Sequence, residues 1–147
     1  MRLMTKTLAL GLIFAATVAT AHEHVKNPVV NDRMHVMENM KNATGIMGDM
    51  MKGERPFDVA IATKAKSDLA AASAEVVAKF QANEMDPASE ASPKIWENYA
   101  DFTAKAEAMV SAAEAIDTSS LDGLKGSFRA VGGSCKACHE AYRVEKD

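Results

Sequence analysis

The sequence predicts an all-α fold, an antiparallel up-down-up-down four-helix bundle, from three observations. Apolar residues recur at alternating steps of three and four, the period of helices that bury one face against each other. Glycine and proline are few, 8 and 4 among 147 residues, while alanine is abundant. No stretch alternates apolar and polar residues in the way a half-buried strand would.

Before the first helix comes a leader. Met1 to Thr7 carries two cations, Arg2 and Lys6, and no acid, and an apolar run from Leu8 to Val18 follows. A membrane span takes roughly 20 apolar residues, so this run is too short to be one. It ends in Ala19-Thr20-Ala21, the small-x-small pattern that a signal peptidase cuts. Residues 1–21 are therefore expected to be a cleaved secretory signal peptide, with the mature chain starting at His22, exported to the periplasm and not held in a membrane. Removing 21 of 147 residues leaves 126, the size of one domain (22–147) with one core.

Removal of Arg2 and Lys6 from the 17 basic groups leaves 15 against 20 acidic ones, a net charge near −5. Phosphate backbones demand a basic face, so this balance argues against a nucleic-acid partner. It leaves open a positively charged protein partner.

The first helix is expected from Asn27-Pro28, a cap followed by proline at the first helical position, to Lys52-Gly53. Its inward stripe would be Val30, Met34, Met37, Met40, Thr44, Met47 and Met51. Gly53-Glu54-Arg55-Pro56 breaks it, and Asp58 is placed to cap a second helix reaching about Asn83. Ala62, Ala65, Leu69, Ala72, Val76 and Phe80 form that stripe. Glu84 to Ala91, containing Pro87, reads as the longest loop. Ser92-Pro93 opens a third helix with Ile95, Tyr99, Phe102, Ala106, Met109, Ala113 and Ile116 facing inward and Trp96 beside them. Around Ser119-Leu121-Asp122, a capping box with a shortened acid opens a fourth helix running to near Val144. Leu121, Leu124, Phe128, Val131, Cys135, Cys138 and Tyr142 step along it by three and four. Short connections between the first and second and between the third and fourth helices favour antiparallel neighbours.

Both cysteines of the chain lie on that last stripe, within Cys135-Lys136-Ala137-Cys138-His139. This is the pattern for covalent attachment of one haem c, in which two thiols add to the porphyrin vinyl groups and the adjacent imidazole binds iron. On a helix, residues three and four apart project from one face, so Cys135, Cys138 and His139 all reach one macrocycle. Gly132 and Gly133 remove side chains where a flat, bulky group must approach the backbone. Three other readings compete. A redox dithiol belongs beside a strand of a βαβ unit, which this sequence lacks. A structural zinc site needs four ligands, so His22, His24 or His35 would have to complete it from afar. A disulfide across two intervening residues leaves His139 unexplained.

The layout resembles the cytochrome c′ family, the class II c-type cytochromes, in which the haem motif lies near the C-terminus of a four-helix bundle. The resemblance covers essentially the whole mature chain. It is carried by the Cys135 to His139 motif followed by Ala141-Tyr142-Arg143, by Lys52-Gly53 and Pro56-Phe57-Asp58 between the first two helices, and by Ser92-Pro93-Lys94-Ile95-Trp96 at the third.

The resemblance implies His139 as the proximal axial ligand of the iron. Aligned back from Lys52-Gly53 without gaps, it puts Met37 at the distal position and Arg33 where the family has an arginine near a haem propionate. Arg143 matches a family arginine flanking the iron-ligating histidine, near the haem; a surface pair with Glu140 or Glu145 is its other expected employment. One family branch binds iron through a methionine of the first helix and is six-coordinate and low-spin. The other has an apolar residue there and leaves a five-coordinate iron open to NO or CO.

Arg33 and Met37 are one helical turn apart on one face, and a thioether is a soft ligand that favours ferrous iron. Methionines at helical spacing are equally core filler, and Met34 and Met40 lie one turn either side. His35, two residues from Met37, is expected on the opposite side of the helix at the surface. The function expected is that of a periplasmic electron-transfer cytochrome with His/Met ligation, not an enzyme, acting with an unidentified redox partner protein as monomer or homodimer. The alternative is a five-coordinate protein that binds NO or CO.

Overall fold

The computed structural model describes residues 25–144. The leader 1–21, His22, His24 and Glu145 lie outside the described residues. Five helices run in order: α1 Pro28–Lys52, α2 Val59–Lys79, α3 Lys94–Glu97, α4 Tyr99–Glu114 and α5 Leu121–Tyr142. The four long ones form the bundle. α1 packs on α2, α2 on α4 and α4 on α5, and a thinner contact between α1 and α5 closes the ring. Among the described residues no strand forms; Ala91 and Arg143 make one isolated antiparallel bridge.

The helix ends follow local chemistry. Asn27 caps α1 by accepting from the N–H groups of Val29 and Val30 at 2.9 and 3.2 Å. Gly53 closes it in the left-handed region at φ 80°, and Glu54 N–H reaches back to the Asp49 carbonyl at 2.9 Å. Asp58 caps α2 through Ile61 N–H at 2.9 Å. At α5 the cap is Ser120, one residue later than the expected box begins, and its Oγ accepts from Gly123 N–H at 3.0 Å. Ser119 is occupied in the preceding turn, where its N–H donates to Asp117.

Three features differ from the sequence reading. The third helix is broken: Asn98 leaves helical geometry (φ −128°, ψ 47°), separating the single turn of α3 from α4. Asn98 still accepts from Phe102 N–H at 3.0 Å and so starts the next helix. α2 ends at Lys79, earlier than Asn83, because the carbonyls of Lys79, Ala82 and Glu84 turn toward Arg33. Lastly, the fully buried stripe of α1 is turned by about one residue from that expected. Val30, Arg33, Val36, Ala43, Met47 and Met50 are buried, while Met34, Met37, Met40, Thr44 and Met51 are half-buried.

The stripe of α2 matches the sequence reading, as does that of the third helix across its break apart from half-buried Tyr99; on α5 Leu124, Val131 and Tyr142 are buried and Leu121, Phe128, Cys135 and Cys138 half-buried. Side chains such as Leu69 and Leu124, both fully buried, each contribute about 1.5–3 kcal/mol through transfer from water.

The core has two clusters. One, centred on Met47, Met50, Leu69, Ala113, Ile116 and Leu124, fills the end near the α1–α2 and α4–α5 turns. The other gathers Val36, Val76, Phe80, Ile95, Phe102 and Tyr142 at the end where α5 finishes. Phe102 stands at its centre, with ring centroids 5.2 Å from Phe80, 5.9 Å from Tyr99 and 5.5 Å from Tyr142. The polar tips of this cluster are satisfied at its rim. Trp96 Nε1 donates to the Phe80 carbonyl at 2.9 Å, and the Tyr99 hydroxyl to that of Val77 at 2.7 Å. These two bonds bind α3 and α4 to the end of α2.

Candidate functional site

The last two turns of α5 carry the chemistry, and their position is fixed from outside the helix. Arg143 leaves helical geometry with its N–H still bonded to the His139 carbonyl at 2.9 Å. The chain then zips onto the long loop. Ser92 N–H donates to the Tyr142 carbonyl at 2.9 Å, and Val144 N–H donates to that of Glu90 at 2.8 Å. Arg143 itself pairs with Glu90, its Nε and Nη2 each 2.5 Å from the Oε2 carboxylate oxygen. That partner is neither Glu140 nor Glu145, the two the sequence suggested.

Cys135 and Cys138 are half-buried with free thiols. Cys135 packs on the first cluster, its Sγ 3.8 Å from Met109 Sδ, and Cys138 packs on the second. Burial pushes both thiols above their ordinary pKa, because a thiolate loses its hydration there; for Cys138 the nearby Lys105 opposes the shift. His139 is exposed on the neighbouring line of α5. Desolvation, and after it the Arg143 guanidinium, lower its pKa, with Glu90 opposing. Both effects favour the neutral imidazole, the form whose lone pair can bind a metal.

Across the thin contact from α5 lies the methionine face of α1. Met37 and Met40 both pack against the cluster that holds Cys138, and Met40 also touches the one that holds Cys135. The fold thus brings Met37 to the cluster against which Cys138 packs, from a helix about 100 residues away in sequence. His35 is exposed on α1 beside Asn31 and Glu38, at 3.1 and 3.7 Å.

Arg33 is 2% exposed. Its Nε donates to the Lys79 carbonyl at 2.9 Å and Nη1 to that of Glu84 at 2.7 Å, while Nη2 donates to that of Ala82. The guanidinium carbon sits 5.0 Å from the Phe80 ring centroid and 5.1 Å from that of Trp96. Desolvation lowers the Arg33 pKa, opposed by the Glu84 charge. A guanidinium has five N–H groups, and these bonds use three of them.

Two polar pairings in this region went unread in the sequence. Glu90 holds Arg143, and Asp101 accepts from the Tyr142 hydroxyl at 2.6 Å while Lys105 lies 3.4 Å from the same carboxylate. Each links residues more than 40 apart, and no local pattern marks them.

The donor set suits a c-type haem. Two thiols one turn apart and an imidazole beside the second lie along one side of α5, and soft thioethers stand on the facing helix. A Cβ added at Gly132 or Gly133 would meet nothing within 4 Å, so the backbone there is open to a flat group. No cluster of three or more His, Cys, Asp or Glu able to hold a bare metal ion occurs among the described residues.

Residues 28–143 match the family described as Cytochrome C′. The chain belongs to that family. It is 36% identical over 118 residues to cytochrome c-556 of Agrobacterium tumefaciens, covering 78% of this chain and 94% of the relative. It is 31% identical over 149 residues to cytochrome c′ of Rhodopseudomonas palustris, covering 99% of each. Among solved structures, a nitric oxide complex of a point mutant of cytochrome c prime from Alcaligenes xylosoxidans superposes with a TM-score of 0.72. That match has 32% identity and covers 80% of this chain and 94% of the other. As a class II c-type cytochrome, the protein carries covalently bound haem c with iron and serves as a haem-binding electron carrier.

Proposed function

We propose that this cytochrome is a six-coordinate, low-spin electron carrier of the periplasm. Cys135 and Cys138 hold the haem through thioethers, His139 binds iron on one side and Met37 on the other. The bound haem supplies a one-electron ferric/ferrous couple. The chain's own residues bury that group, fill both axial positions and transform no substrate.

The observation that carries this reading is the place of Met37: half-buried, on the helix facing α5, in the same apolar cluster as Cys138. A thioether in an apolar setting is a weak donor to ferric iron and a better one to ferrous, and so raises the reduction potential. Arg143, held against Glu90 one turn beyond His139, keeps an ion pair beside the proximal ligand. Its net effect there is small, because the two charges nearly cancel at a distance.

The ferric absorption and spin-state spectrum tests the assignment. A low-spin parent that becomes high-spin in Met37→Ala is expected. A parent already high-spin, with a spectrum that Met37→Ala leaves alone, refutes it. That outcome would favour the second reading, a five-coordinate protein that binds NO or CO, which is supported by the nitric oxide complex of the similar Alcaligenes protein. Export is tested separately: the periplasmic fraction should yield a mature protein whose N-terminal residue is His22.

A further inference from the structure

One buried cation in this bundle has bonding far beyond what an ordinary core position requires. Arg33 gathers the carbonyls of Lys79, Ala82 and Glu84, the end of α2 and the turn after it, and is stacked between Phe80 and Trp96. The last four carbonyls of a helix lack intrahelical partners, and a planar guanidinium is the side chain best shaped to collect several at once. The bond between Trp96 Nε1 and the Phe80 carbonyl ties α3 into the same assembly. Four of the five helices, α1 through α4, therefore meet at or next to this residue: α4 enters through Tyr99, whose hydroxyl bonds the Val77 carbonyl one turn earlier in α2.

We infer that Arg33 is a positioning residue for the distal axial ligand: by clamping α1 to the end of α2 it sets the rotation and height of α1, and so where Met37 presents its sulfur. This rests on the reading that Met37 binds the iron. Met37 is four residues beyond Arg33, one turn along the same side of α1, so any rotation that Arg33 forbids is forbidden to Met37 as well. A rotation of α1 by about 20° would carry an atom roughly 6 Å from the helix axis by about 2 Å. Metal–ligand bonds tolerate only about 0.2 Å. Packing alone is a poor guard against such a rotation, because methionine side chains repack readily and the contact between α1 and α5 is the thinnest in the ring. Three bonds fanned from a rigid fork do guard against it.

The test uses the full-length haem-loaded protein and compares five forms: the parent, Met37→Ala, Arg33→Leu, Arg33→Lys and Leu124→Ala. Leu124 is fully buried in the cluster at the other end of the bundle, so its truncation loosens the fold without touching the clamp. Covalent haem content by mass and helicity by circular dichroism confirm that each form is assembled. Ferric spin state and reduction potential are the readouts.

Arg33→Leu should raise the ratio of high-spin to low-spin iron by roughly tenfold, the factor for withdrawing about one charge-assisted hydrogen bond from the ligated state. Arg33→Lys, whose single ammonium cannot reach three diverging carbonyls, should fall between Arg33→Leu and the parent, and it keeps the test open where Arg33→Leu fails to assemble. Leu124→Ala should stay low-spin. An unchanged spectrum in both Arg33 forms overturns the inference, and so does an equal high-spin gain in Leu124→Ala. A shifted potential with an unchanged low-spin spectrum, fully restored by lysine, assigns Arg33 to a propionate charge and also overturns it. A parent insensitive to Met37→Ala defeats the ligand assignment, and this inference falls with it. A failure of the clamp alone leaves the Met37→Ala change in place.

Discussion

Tyr142 shows how a single residue near the haem motif is held. Its hydroxyl lies 3.4 Å from the Asn98 carbonyl and donates to the Asp101 carboxylate at 2.6 Å, which pushes its pKa up to about 12 from 10.0, chiefly through that hydrogen bond. The folded state favours neutral Tyr142, so the stabilisation is complete below pH 10 and is lost as the pH rises from there toward 12. Thermal midpoints measured across that window should fall in the parent and fall less steeply in Tyr142→Phe. Asp101→Asn removes the charge that disfavours the phenolate, so ultraviolet titration should find Tyr142 ionising closer to 10.0. At the same scale, the residues of the attachment motif were legible because the motif is local: Cys135, Cys138 and His139 are fixed by spacing alone. The resemblance singled out Arg33 and Arg143, but their partners in the structure, the carbonyls around Arg33 and the Glu90 carboxylate, were not legible.

At the scale of the element, several helix ends are set by local chemistry, and these can be tested one at a time. Gly53 is the sole described residue with positive φ, and a Cβ there would meet nothing within 4 Å. Gly53→Ala therefore isolates the conformational cost, expected as a loss of about 1 kcal/mol in denaturant unfolding with the spectrum unchanged. Asn27→Ala removes the oxygen that accepts from Val29 and Val30, and should cost a similar amount, about 1 kcal/mol. The caps at Asn27, Gly53 and Asp58 could be read from sequence because a cap is a short-range bargain between one side chain and backbone two to five residues away. The break at Asn98 could not. Pro93 and the apolar period both allow a continuous helix, whereas at the break the contact is long-range: Tyr142, 44 residues on, places its hydroxyl 3.4 Å from the Asn98 carbonyl.

The whole molecule is a ring of four helices with one thin contact, between α1 and α5, and the haem motif and Met37 stand on either side of it. Replacing both thiols, Cys135→Ser with Cys138→Ser, should give protein without covalent haem. In that form amide exchange should be fastest in the parts of α1 and α5 that face each other, and slowest in α2 and α4, which each have two well-packed neighbours. Equal protection of all four helices would contradict this picture.

The sequence by itself determined the helices, their order and the haem attachment, since periodicity, capping and a five-residue motif all act over less than two turns. Only the tertiary structure decided which face of α1 is buried. The period of that helix leaves open whether the fully buried line is centred near Met34 and Met37 or, a fraction of a turn round, near Arg33 and Val36. The second line is buried because the end of α2 and the turn after it offer three carbonyls to the Arg33 guanidinium, and Phe80 and Trp96 offer it two aromatic faces. That burial leaves Met37 half-buried beside the cluster against which Cys138 packs.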